Sequence, residues 1–113
     1  MIARIWHGWT TRANADAFAK LLIEVVVPGF EARAVAGFLH IDLLRRDAGD
    51  EVEFTTIMIF DSIEAVKRFA GDDATVALVP DAARALLARF DDRVVIHDVL
   101  GSRGEPEHAR GRT

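Results

Sequence analysis

Apolar side chains recur along this chain with two periods, and each period predicts an element. Residues 2–10 carry Ile2, Ile5, Trp6 and Trp9 in a short run that reads as a strand. Thr11 can cap a following helix, in which Phe18, Leu21, Leu22 and Val25 repeat at i, i+3, i+4 and i+7. Pro28-Gly29 is expected to stop it. Strands are predicted over 35–45 and 52–60, joined by the polar hairpin loop 46–50. Ser62 is an N-cap for a helix burying Ile63, Val66, Phe69 and Ala70, and Gly71 closes it. Residues 73–79 read ambiguously. Pro80 opens a further helix with Leu86, Leu87 and Phe90 on its buried side, Asp91-Asp92 turns the chain, and Arg93–Leu100 reads as the last strand.

The order is βαββαβ, the ferredoxin-like α+β pattern. The handedness of crossovers then makes the four-stranded sheet antiparallel in order 4-1-3-2, with the helices on one face. Residues 1–100 form this domain, and 101–113, rich in Gly and Arg, read as a flexible C-terminal tail. The strands do not alternate cleanly. In 52–60 one parity holds Val52, Phe54, Met58 and Phe60, yet the other holds Ile57 and Ile59. Helices can cover only one side, and a bare second face would be a large apolar patch for a monomer. A second copy is therefore the expected cover, giving a homodimer. The parity of Phe54 and Met58 is assigned to that interface.

Composition narrows the function classes. Fourteen basic against eighteen acidic side chains in 113 residues give a net charge of −4, without the basic excess of a nucleic-acid binder. Cysteine is absent, which removes disulfides, thiolate nucleophiles and cysteine-held metal clusters. No apolar run approaches the ~20 residues of a membrane span, and Met1–His7 lacks a signal peptide's pattern, so a cytoplasmic protein is expected.

The stretch Val52-Glu53-Phe54-Thr55-Thr56-Ile57-Met58-Ile59-Phe60-Asp61-Ser62-Ile63-Glu64-Ala65-Val66-Lys67-Arg68-Phe69 resembles the signature of antibiotic biosynthesis monooxygenase-type domains. It has their apolar strand, aromatic, acidic residue and Ser, then a helix with Glu-Ala and a late aromatic. Pro28-Gly29-Phe30 before the second strand is similar too. The resemblance implies a dimeric α+β barrel, two sheets packed face to face. Its members include oxygenases of polyketide-like aromatics that use neither metal nor flavin, and haem degraders. The haem degraders use a strand-1 Asn, a Trp on the second main helix and a later His. Here His7 stands nearest the first, Phe69 occupies the second, and no His lies between Ser62 and Phe90. Chemistry without haem, flavin or metal is the expectation.

His7, His40 and His97 fall on predicted strands, with His7 and His97 on neighbours. His7 is the candidate catalytic base, because imidazole exchanges protons near neutral pH. Trp9 shares its parity and, with Phe60, Phe69 and His97, is a candidate to line an aromatic pocket beneath the helices. No cluster has metal-ligand spacing, so no metal site is expected. Arg4 on strand 1 is a plausible ion-pair partner for Asp98, which together with Asp42 is the carboxylate expected to be partly buried. The competing reading makes these histidines and aromatics ordinary core or interface residues of a non-catalytic binding or scaffold domain.

Overall fold

A computed structural model describes residues 1–104. Five strands form one antiparallel sheet: β1 (Ile2–Thr11), β2 (Phe38–Ala48), β3 (Glu51–Phe60), β4 (Leu87–Phe90) and β5 (Val95–Asp98). The order is β2-β3-β1-β4, with β5 also pairing β1. This is the predicted α+β sheet, except that its last strand is divided in two along β1. The helices α1 (Arg12–Leu21), α2 (Val27–Ala32), α3 (Ile63–Ala70) and the short α4 (Asp81–Arg84) complete the fold. Residues 101–104 are exposed and have no helix or strand, and the rest of the expected tail lies outside the described residues.

Local signals account for the element starts. The Thr11 hydroxyl accepts from the Asn14 amide at 3.3 Å, and Ser62 Oγ accepts from Ala65 at 3.2 Å. Gly71 ends α3 at φ 96°, a region open to glycine. Gly49, at φ 70°, begins the two-residue turn between β2 and β3.

Three expectations are corrected. Pro28-Gly29 does not stop the first helix. A π turn over Leu22–Val26 follows α1, with the Val27 amide donating to the Leu22 carbonyl, and α2 restarts the bonding pattern. Pro28 then sits where the bonding pattern changes register from the π turn to α2, and that change accommodates a residue without an N–H. Leu87 and Phe90 lie on β4, not on a helix, because Pro80 opens only one turn. The second strand runs 38–48 instead of 35–45, since Gly37 at φ 90° turns the chain just before it.

The sheet's two faces are also the reverse of the expected assignment. Arg4, Trp6, Gly8 and Thr10 face the helices, as do Val52, Phe54, Met58 and Phe60, all of them buried. One core cluster packs Trp6, Phe18, Leu22 and Phe54, and a second packs Met58, Phe60, Val66 and Phe69. Phe54 and Met58 are therefore core residues. The open face carries Ala3, Ile5, His7 and Trp9 from β1, which register with Ile59, Ile57, Thr55 and Glu53 of β3.

Thr10 is fully buried, and its hydroxyl has no hydrogen-bond partner among the described residues. Thr10→Val keeps the shape and removes that orphan, so denaturant melts should show a gain of about 1 kcal/mol. A loss of stability would mean that the hydroxyl is satisfied.

Candidate functional site

On the open face, one carboxylate organises the predicted histidine. Asp91 Oδ2 accepts from the His7 amide at 3.0 Å and lies 2.8 Å from Nδ1. The Asp91 amide in turn donates to the His7 carbonyl at 2.9 Å, and the Trp6 indole donates to the Asp91 carbonyl at 3.0 Å. A carboxylate only accepts, so Nδ1 holds the proton and Nε2 is the free ring nitrogen. The Trp9 ring stacks on His7 at 6.0 Å, and the Arg89 guanidinium covers Trp9 at 3.9 Å while pairing with Glu51. His97 lies opposite Ala3, four residues along β1 from His7, roughly 13 Å at strand rise. The two histidines are not brought together. His40 is exposed on β2, 3.8 Å from Asp42.

Beneath the helices lies a different set of residues. A cavity of about 40 Å³ has Arg4, Trp6, Thr56 and Met58 on its sheet side and Phe18, Leu22, Val26 and Phe30 on its helix side. Leu78, Val79, Pro80 and Ala83 close it. Outside, a groove of about 480 Å³ runs between the α1–α2 region and the 78–82 segment, with Arg33 at its margin. Val26, Phe30, Leu78, Val79 and Pro80 line both spaces. His7 and Trp9 do not line the cavity, because their side chains leave β1 on the opposite side. Phe60 and Phe69 are on the helix side but belong to the second core cluster. Phe69 stands one layer behind the cavity, edge-on to Phe30 at 5.0 Å.

Arg4 is the charged group of this cavity and is only 5% exposed. The expected ion pair with Asp98 does not form. Asp98 is exposed and registers with Ile2, whereas Arg4 donates through Nε to the Ala74 carbonyl at 3.4 Å and through Nη2 to that of Val76. Its guanidinium also lies 5.3 Å from the Phe69 centroid. Burial pushes its pKa down to about 10, so it remains charged at neutral pH. The segment it anchors is tied independently. Hydrogen bonds from Thr75 and Arg93 hold the Asp73 carboxyl down at about 2. That support is complete above the ordinary carboxylate range and is lost as pH falls towards 2.

No protein-family model matches the sequence, and no curated protein matches it. Solved structures do. SnoaB of Streptomyces nogalater, a cofactor-independent oxygenase, is 19% identical over 92% of this chain and 98% of its own, with TM-score 0.60. The chain has the antibiotic biosynthesis monooxygenase fold. A monooxygenase of Streptomyces coelicolor bound to nanaomycin D matches at 16% identity over 93% of this chain and 92% of its own, TM-score 0.56. The haem degrader MhuD of Mycobacterium tuberculosis, with two haems bound, matches at 21% over 92% and 100%, TM-score 0.56.

Haem does not suit this donor set. None of the three described histidines lines the cavity; all are on or beside the open face. Among the described residues no group of three His or carboxylate side chains could hold a metal ion, and no helix is long and apolar enough to cross a membrane.

Sequence reasoning missed Trp6 and Arg4 as cavity residues. A signal was available for Trp6: a Cβ on Gly8 would stand 2.4 Å from its ring, so Gly8 is the space the indole folds into. His7→Ala should then cost about 1 kcal/mol, by loss of the Asp91 contact, and leave ligand binding beneath the helices unchanged. Titration calorimetry on that variant, with any ligand of the cavity, checks this; a lost ligand would return His7 to the site.

Proposed function

We propose that the protein binds a small aromatic metabolite on the helix side of its sheet, at the cavity and the groove outside it, and oxygenates it without a cofactor, acting as a homodimer. The observation that carries this is the apolar cavity, walled by the Trp6, Phe18 and Phe30 rings and continuous in its lining with the outer groove. The relatives in fold include a cofactor-independent oxygenase, which is consistent with the reading. The dimer is supported by Ile5, Ile57, Ile59, Leu44 and Val95 on the sheet face that no helix of the described residues covers.

A reaction of this class converts an activated methylene to a carbonyl: one dioxygen is consumed, one oxygen enters the substrate, and the other leaves as water with the two hydrogens. The substrate must first ionise, because the anion is what reacts with oxygen. Among the described residues the cavity side chains offer no neutral base, since the polar ones are Arg4, Thr56 and the Trp6 indole N–H, which donates to Asp91. Proton loss therefore has to come from a substrate acidic enough to ionise beside a cation. That same lack of a base favours the second reading, a binding domain without turnover.

Oxygen uptake with a panel of hydroxylated aromatics, with mass analysis of the products, separates the two. Turnover with one added oxygen atom and two lost hydrogens supports the oxygenase. Saturable quenching of Trp6 fluorescence with no oxygen uptake across the panel supports the binding domain.

A further inference from the structure

We propose that the cavity is an anion subsite, in which Arg4 receives the carboxylate of an aromatic acid whose ring system lies in the outer groove. The proposal rests on the small-molecule reading above and specifies the ligand's charge.

Arg4 is a buried cation without a carboxylate partner among the described residues. An isolated buried charge is costly unless it is paired. Two loop carbonyls take up Nε and Nη2, but they carry only partial charge, and Nη1 donates to no described residue. Burial already works against the charged form, as the lowered pKa records. An anion beside Nη1 supplies the missing countercharge, and a charge-assisted hydrogen bond is about twice as strong as a neutral one.

Size and lining fix the rest of the ligand. An apolar cavity that takes up a benzene ring has about 150 Å³. The cavity's roughly 40 Å³ therefore suits a small head group and excludes a ring. The groove, at about 480 Å³, is of ligand size and is walled by Leu21, Val25, Phe30 and Leu78. Val26, Phe30, Leu78, Val79 and Pro80 line both spaces, so a ligand whose head is admitted past them to Arg4 carries its body in the groove. With Nε and Nη2 engaged, Nη1 is left to serve one anionic oxygen. A carboxylate uses that arrangement, whereas a phosphate dianion would need more donors. Arg33 stands at the groove margin, its guanidinium 4.7 Å from the Phe69 centroid and its Nη2 donating to the Phe69 carbonyl, so the second nearby charge is also positive.

The test compares 2-naphthoate with its neutral isostere 2-naphthamide, by calorimetry on the full chain at pH 7.5. A Trp9→Phe background isolates the fluorescence of Trp6 and reports binding on the helix side. Naphthoate should bind at least roughly tenfold more tightly than the amide. Arg4→Met should abolish that preference while retaining amide binding, and Arg4→Lys should keep part of it. Should Arg4→Met fail to fold, the acid-to-amide ratio in the unaltered protein still decides. Equal affinity for acid and amide overturns the anion subsite and leaves the small-molecule reading standing. Failure of both to bind or to quench Trp6 overturns the two together.

Discussion

Ile57→Lys is expected to give folded monomers, whereas Met58→Lys, one residue further on, is expected to give no folded protein. The two side chains leave β3 on opposite sides of the sheet. Ile57 registers with Ile5 on β1 and with Asp42 on β2, in the middle of the face opposite the described helices. A lysine there would break an apolar interface but find a cross-strand carboxylate in the monomer. Met58 is 2% exposed and registers with Arg4, itself a buried cation. A second cation there would be desolvated beside a like charge, a cost of several kcal/mol against a total stability of about 5–15. Light scattering and circular dichroism on both variants read the outcome. The unaltered chain should scatter as twice 12.5 kDa and Ile57→Lys as one copy with an unchanged far-ultraviolet spectrum. A dimeric Ile57→Lys would sink the open-face interface, and a folded Met58→Lys would sink the face assignment.

That contrast turns on a parity that the sequence left ambiguous. Both faces of β1 and β3 carry large apolar residues, so alternation could not say which face meets the helices. Caps were legible because their chemistry is local: Thr11, Ser62 and Gly71 each act within one helical turn. Sheet order followed from element order and handedness. Pro28-Gly29 misled because a π turn resets the helix before the proline, and a proline signal does not reveal the register of the turn preceding it. The cavity was the least legible part. Arg4 on a strand reads as a surface or ion-paired residue. Its burial depends on carbonyls 70 and 72 residues away in a segment without helix or strand. The notch at Gly8 was the one local clue to Trp6, and it is a statement about volume instead of polarity.

Phe18→Ala should have the largest effect of any single truncation on the helix side, and part of its loss should be reversible by a ligand. Phe18 is fully buried on α1, meets Phe54 edge-on at 4.9 Å and lies 6.5 Å from Trp6, and it forms part of the cavity wall. Truncating a buried phenylalanine costs about 3–5 kcal/mol, from lost transfer free energy plus the void left behind. In a domain of this size the melting temperature should fall on the order of 20 °C. Here the void opens directly into the existing space of about 40 Å³, so the two merge. An apolar cavity of roughly 150 Å³ stays dry and binds benzene. Benzene at about a hundredfold its dissociation constant would return about 2.7 kcal/mol to the variant. The unaltered protein, whose cavity is too small for the ring, should gain far less. Thermal melts of both proteins with and without saturating benzene decide the matter. A loss below about 1 kcal/mol would remove Phe18 from the core. A full loss with no recovery in benzene would mean that the helices collapse onto Trp6, leaving no room for a ring beneath them.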